Sequence, residues 1–460
     1  MNRASVRHMK SSITEPTRTL TVASMAPLLV LTNYTVPMVT LPRTAQDLGA
    51  GPTGPVWILG SIALGLSSLL LVSGGLADDY GRRRVLLAGT GVLAVASLVA
   101  AVSTAVPLFV AARLVQGGAS AAMLAASLGI VGHAYPSGTE RVRATGRYGA
   151  MIGLGTAVGP LVSGMLATVT SWRAVYWLMA AAAVALAAVS ARTLEESRAA
   201  EPRRFDVPGV VLLTLGVAAL LAGVTEGRLG WSRPVVEIAL LVAVVLIAAF
   251  VLVERRRGEP LIDLELFRRP LFLVSTGGAL VVGAAIVGLL SFLPSVLQQA
   301  YGMTPMTTAL LFFVWSGTSF VASLLTRHVR LAAGGRLASG MVLTALGFCG
   351  LIGVGSSLSL PMVLAGLLVS GVGSGLINSS ITHLAIESVP AHRVSMGSGA
   401  NNTARYIGSS LGAAGVALAV GGFGVQEGAT VAVVACIALT GLTAVVALGS
   451  TRATSVARRP

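Results

Sequence analysis

Few residues in this chain have side chains able to do chemistry, and they are scattered. Cys349 and Cys436 each stand alone in an apolar run, with no C-x-x-C spacing and no disulfide framework, so both read as packing residues. Lys10 is the only lysine, which leaves no phosphate-loop lysine and excludes ATP-driven work by this chain alone. The glycines of GVGSGL (Gly371 to Leu376) begin a dinucleotide-like pattern but lie inside an apolar run, where they make a packing strip. His383 could relay a proton or sit satisfied near a helix end. No nucleophile with a base, acid–base pair or metal cluster emerges, so the expectation is a protein that is not an enzyme and needs no cofactor or metal. One side chain stands out: Arg113 lies about seven residues, roughly 10 Å, inside the apolar run 106–131. Placing an arginine near the centre of a membrane helix costs about 2.5–3.5 kcal/mol, so Arg113 either faces a polar cavity or snorkels to the interface.

The surroundings are apolar throughout. Hydrophobic residues make up 54% of the 460 and charged ones only 11%, with a mean hydropathy of +0.84. A soluble domain needs roughly a quarter of its residues charged, so this composition specifies an all-α integral membrane protein. The net charge of +15 would suggest nucleic acid in a soluble protein. Here the basic residues lie in loops between apolar stretches, and topology explains them without a nucleic-acid partner. The basic segment before the first run (Arg3, Arg7, Lys10, Arg18) resembles a signal peptide's, but that run is long and many follow, so it is expected to be an uncleaved helix.

A spanning helix takes about 20 apolar residues. Fourteen runs qualify, at 20–42, 55–77, 85–104, 106–131, 144–168, 174–192, 207–225, 234–254, 271–298, 306–327, 336–356, 359–386, 397–420 and 428–449. Alternate loops differ in charge. One set carries Arg82 to Arg84, Arg141, Arg143, Arg147, Arg192 to Arg204, Arg255 to Arg257, Arg268, Arg269, Arg327 to Arg336, and Arg393, whereas the other has only Arg43, Arg173, Arg228 and Arg233. The positive-inside rule puts the first set and both termini in the cytoplasm. The expected organisation is a tail at 1–19, a six-helix bundle at 20–192, linkers with two extra spans at 193–270, a second six-helix bundle at 271–449 and a tail at 450–460. Two six-span halves around a midplane site are a transporter pattern. A sensor or scaffold would normally add a soluble domain, and the loops are too short for one.

GGLADDYGRRRVLL (Gly74 to Leu87) resembles the cytoplasmic-loop signature of the major facilitator superfamily at Gly74, Leu76, Ala77, Asp78, Gly81, Arg82, Arg83 and Leu86. RLVQG carries Arg113, Gln116 and Gly117 in the order of that family's fourth-span motif. GRYGAMIGLGTAVGPLVSG places Gly146, Gly155, Gly159, Pro160 and Gly164 at the spacing of its antiporter motif, with Ser163 in place of one glycine. SWRAVYW (Ser171 to Trp177), PLIDLELFRRPLF (Pro260 to Phe272), LPSVLQQAYGMTP (293–305) and SMGSGANNTARYIGSSLG (Ser395 to Gly412) are similar to landmarks of its fourteen-span drug:proton antiporters. The resemblance implies the major facilitator fold and export of a small amphipathic molecule across the plasma membrane in exchange for protons. It also implies a cytoplasmic gate at Asp78 and Arg82 and proton coupling or substrate contact at Arg113, and the expected state is a monomer. The span-five motif argues against an uptake permease.

One departure matters. The first span of that branch usually carries an aspartate where NYTVPMVTLP has Asn33, and an asparagine where it has Met38. An amide cannot titrate, so any proton carrier must be elsewhere. Glu226 and Glu237 at outer span ends and Glu387 near an inner end are candidates, though each also suits a boundary charge. Without a central acid, the expected substrate is neutral, zwitterionic or anionic. Tyr34, Trp177 and Trp315 offer aromatic faces either to the pocket or to the lipid interface.

Overall fold

A computed structural model of the chain describes residues 3–135, 138–198, 206–256, 264–329, 331–356, 359–388 and 394–456. Among them there are fifteen α-helices and no strands. Hydrocarbon offers backbone groups no partner, so each crossing segment must close its own hydrogen bonds, and apolar runs of this length do so as helices. The helices are α1 (Arg3–Thr35), α2 (Pro37–Asp47), α3 (Gly54–Tyr80), α4 (Arg82–Val102), α5 (Val106–Ala134), α6 (Gly138–Val169), α7 (Ala174–Thr193), α8 (Val207–Glu226), α9 (Pro234–Arg256), α10 (Pro270–Val281), α11 (Gly288–Tyr301), α12 (Pro305–Leu325), α13 (Ala333–Cys349), α14 (Leu360–Glu387) and α15 (Val394–Val456).

Ten helices are long and apolar enough to cross a membrane, or eleven with α1 and α2 taken as one bent span. Gly54–Leu70 and Ala333–Cys349 are shorter apolar helices. Prolines begin α9, α10 and α12, where a missing N–H costs nothing. The side chains of Asp206 and Thr304 cap α8 and α12 by accepting from the N–H groups of Gly209 (2.9 Å) and Thr307 (3.2 Å).

Two runs expected as plain rods are interrupted. The first, 20–42, bends by 46° between α1 and α2, because Pro37 cannot continue the hydrogen-bond ladder. The ninth, 271–298, contains a π-helical stretch at Val282–Val287 between α10 and α11. The last two share α15, which breaks at Gly424, where φ is 78°.

Small residues let these helices approach closely. At Gly65 of α3 a Cβ would stand 3.1 Å from the Cα of Gly117 on α5, and one on Gly117 would stand 2.8 Å from the amide of Leu66. That backbone-to-backbone seam is available only to glycine. The α1 helix packs on α5 and α6, α3 also on α15, α6 also on α12, and α15 also on α10, α11 and α13. The α9 helix packs chiefly on α8 and exposes Val235, Ile238, Leu241, Val244, Val245 and Leu252, an apolar face of the kind that lipid covers.

At the Asp47 end, Gln298 of α11 donates to the carbonyl of Val39 on α2 (2.7 Å), and Gly164 of α6 abuts Pro305 and Ala309 of α12. At the arginine-rich end, Gly74, Gly75 and Gly146 face open space.

Candidate functional site

Arg113 is fully buried. Its neighbours follow from one residue on another helix: Pro37 has no N–H, so the carbonyl four residues earlier, on Asn33, loses its helical donor. Arg113 supplies the replacement, with Nη1 donating to the Asn33 carbonyl at 2.9 Å. The same nitrogen reaches Asn33 Oδ1 (3.4 Å) and Gln116 Oε1 (2.9 Å), and Nη2 reaches the Tyr34 carbonyl (3.4 Å). Asn33 Nδ2 donates to Gln116 Oε1 at 3.3 Å, and Gln116 Nε2 to Ser97 Oγ at 3.1 Å. Among the described residues, Nε of Arg113 has no hydrogen-bond partner. All of its acceptors are neutral.

A cavity of about 40 Å³ lies beside this cluster. Its walls are Leu31, Tyr34 and Thr35 of α1, Met38 of α2, Thr156 of α6, Val287 of the π stretch, Leu290 of α11, Phe312 and Trp315 of α12, and Arg405, Tyr406 and Ser409 of α15. Tyr34 joins the two sites, since its carbonyl accepts from Arg113 while its hydroxyl contacts Ser409 Oγ at 2.6 Å. The Tyr34 and Tyr406 rings meet edge to face at 5.6 Å, as Phe312 and Trp315 do at 5.3 Å. The Trp315 indole N–H donates to Ser374 Oγ at 3.2 Å, and Arg405 Nη1 to Asn378 Oδ1 at 3.4 Å. Met38, Thr156 and Leu290 each stand four residues before a proline inside their helix: Pro42, Pro160 and Pro294.

On α6, Gly155 and Gly159 face α1: a Cβ at Gly155 would lie 2.5 Å from the Leu28 carbonyl, and one at Gly159 would lie 2.6 Å from that of Thr32. Nine residues beyond Gly155, Gly164 turns to α12 instead. The glycine pattern thus lies between α1 and α12, and both of those helices line the cavity.

The pattern of the Major Facilitator Superfamily matches residues 23–413. This chain belongs to the major facilitator superfamily. It is similar to "Multidrug resistance protein Stp" of Mycobacterium tuberculosis (strain CDC 1551 / Oshkosh), 31% identical over 397 residues, covering 86% of this chain and 74% of that one. It is also similar to "Puromycin resistance protein pur8" of Streptomyces alboniger, 32% identical over 409 residues, covering 86% and 80%. The crystal structure of the human organic anion transporter MFSD10 (TETRAN) shares the fold, with a TM-score of 0.65 and 18% identity over 94% of this chain and 99% of that one.

In this facilitator chain the expected site residues separate into groups. Arg113, Asn33 and Gln116 form the buried cluster, and Tyr34 and Trp315 meet in the cavity. Trp177 does not join them: it is 51% exposed on α7 and lines no part of the cavity, because a shift of one residue on a helix turns the side chain by about 100° and its neighbour Tyr176 takes the inward position. Arg405 and Tyr406 went unassigned in the sequence, although Arg405 is a charge inside the apolar run 397–420, the same signal that singles out Arg113.

The facilitator loop motif is organised by an acid outside it. Gly81 has φ 107°, and α4 starts immediately after it. The Glu196 carboxylate, from the segment following α7, accepts from the N–H groups of Arg83 (3.1 Å) and Arg84 (3.2 Å), which suits the positive end of a helix. The Arg82 amide donates to the Ser197 carbonyl at 3.0 Å, and Arg83 Nη2 to that of Ala191 at 2.6 Å. The Arg82 side chain lies against Gly129 of α5. The side chain of Asp78, expected as the latch, lies outside the described residues, as does that of Glu387.

Of the other carboxylates, Glu226 pairs with Arg233 at 3.6 Å and Glu237 is exposed. Asp47 at the end of α2 pairs with Arg173, which also donates to the Ser103 carbonyl (2.9 Å) and stacks on the Trp172 ring at 4.3 Å. Among the described residues no group of three or more His, Cys, Asp or Glu could hold a metal.

Proposed function

We propose that the chain exports small amphipathic molecules, of the drug or antibiotic kind, across the plasma membrane by alternating access, in exchange for protons and as a monomer. The observation that carries this reading is the cavity itself, whose walls come both from α1, α2 and α6 and from α11, α12 and α15. A site held between the two ends of a chain changes its access when they rock against each other. Its 40 Å³ suits a few waters, far below the roughly 300 Å³ or more of a drug site, so this conformer is a contracted one. The resistance named in the multidrug and puromycin resistance proteins similar to it supports outward movement and a cargo of the drug or antibiotic kind.

Fourteen spans in a six, two, six arrangement complete the reading. Adding the bent pair and the two shorter apolar helices to the ten spans, and dividing α15 at Gly424, brings the number to fourteen. With the arginine-rich loops and both termini in the cytoplasm, the packed Asp47 end is the outside.

The test is flux of chloramphenicol, a neutral antibiotic, and of fluorescein, an anionic aromatic dye, in proteoliposomes under an imposed pH gradient. Export of either, abolished by Arg113→Ala, is the expected result. No movement of either solute under any gradient, or movement only inward, would overturn it.

A further inference from the structure

Among the described residues lining the cavity, Arg405 is the one charged side chain. Its hydrogen bond goes to a neutral amide, Asn378 Oδ1, at 3.4 Å, which is long for a charge-assisted bond. Arg113, one layer away behind the Tyr34 backbone, is likewise satisfied by neutral acceptors. One guanidinium thus lines this space and a second lies behind its Tyr34 wall, while no carboxylate is among the described residues that line it, so the local field is positive. Four of the other lining residues are aromatic, Tyr34 with Tyr406 and Phe312 with Trp315, among aliphatic and hydroxyl side chains. Aromatic faces alone would welcome a cation, but a like charge beside Arg405 opposes one, whereas a planar acid satisfies rings and guanidinium together.

We infer that Arg405 is a specificity residue that makes this cavity select aromatic or conjugated organic anions over neutral and cationic molecules of the same shape. This rests on the reading of the cavity as the cargo site. When such a ligand enters, its carboxylate or phenolate takes the fork of Arg405 in place of the long bond to Asn378, and its ring lies between the aromatic pairs. No covalent change is involved.

Three probes with one ring and different charge test the inference: 1-naphthoate, 1-naphthamide and trimethyl(1-naphthylmethyl)ammonium. Binding to the full chain in nanodiscs is measured by calorimetry, and flux in proteoliposomes. Naphthoate is expected to bind at least tenfold more tightly than naphthamide, and the ammonium most weakly. In Arg405→Gln the preference for naphthoate should fall to within threefold, while Arg405→Lys should keep most of it. Asn378→Asp places a carboxylate beside the guanidinium without removing it and should reduce naphthoate affinity about tenfold, which keeps the test open if Arg405→Gln does not fold. Equal binding of all three probes by the unmodified chain, a preference for the ammonium, or a tenfold anion preference that survives in Arg405→Gln would each overturn the inference. The two readings fail separately. Export of the ammonium in preference to naphthoate would sink the anion assignment and leave transport standing, whereas selective naphthoate binding without flux of any probe would support Arg405 and remove the transporter.

Discussion

Arg113 of α5 donates to the main-chain oxygen of Asn33 on α1 at 2.9 Å, a carbonyl that Pro37 deprives of its helical partner. The bend in the first span and the buried arginine of the fourth are thus one feature: the proline exposes an acceptor, and the guanidinium satisfies it. A charge in this position with only neutral partners costs free energy that an ion pair would partly recover.

Asn33→Asp should recover it. An acid at that position sits within 3.4 Å of Arg113 Nη1, and hydrogen bonds to charged groups contribute about 1.5–3 kcal/mol. The thermal-unfolding midpoint in detergent should rise at neutral pH, and the gain should vanish on acidification. Export should acquire a new pH dependence in proteoliposomes.

The α6 glycines should respond unequally. Gly155→Leu forces atoms into α1 and should destabilise by about 1–3 kcal/mol, with loss of export. Gly146 has open space around it, so Gly146→Ala should be neutral or stabilising by up to about 1 kcal/mol through helix propensity. Unfolding midpoints of the two variants, measured side by side, check this.

Glu196→Ala should loosen the loop between α3 and α4, removing the acceptor of two helix N–H groups at a cost of about 0.5–2 kcal/mol. Glu196→Gln keeps one acceptor oxygen and should cost less. Faster proteolysis at Arg82 to Arg84 and slower substrate flux are the expected readouts.

If protons drive export, replacing Glu226, Glu237 and Glu387 together by glutamine should leave most pH-driven flux intact. Glu226 is engaged with Arg233, an exposed kind of pair worth at most about 1 kcal/mol, and Glu237 is on the surface. Loss of coupling in the triple variant would instead make one of them the carrier.

Much of the helix order was legible because hydrocarbon leaves a spanning chain one common solution, so apolar runs and helices nearly coincide. The bend at Pro37 and the π stretch at Val282–Val287 were harder to foresee, since they depend on how a helix meets its neighbours. At the site, Arg113, Asn33 and Gln116 could be picked out as polar groups in the wrong solvent. Their arrangement could not, because it turns on an orphaned carbonyl of the main chain. Arg405 carried the same signal as Arg113 in a run read as a family landmark, and of the two places open to Trp177, pocket or lipid interface, its exposure on α7 fits the second. Glu196 had no local pattern at all, since its partners are amides more than a hundred residues away.

The prolines at 42, 160 and 294 each remove a rung from a different rod at the height where cargo would rest. A rod short of a rung flexes there more readily than elsewhere, and a polar group freed by the gap can serve a guest in place of the lost amide. If the cavity is the cargo site, it has a pliable waist inside a stiff frame and should widen around visitors of unequal girth without parting the glycine seams.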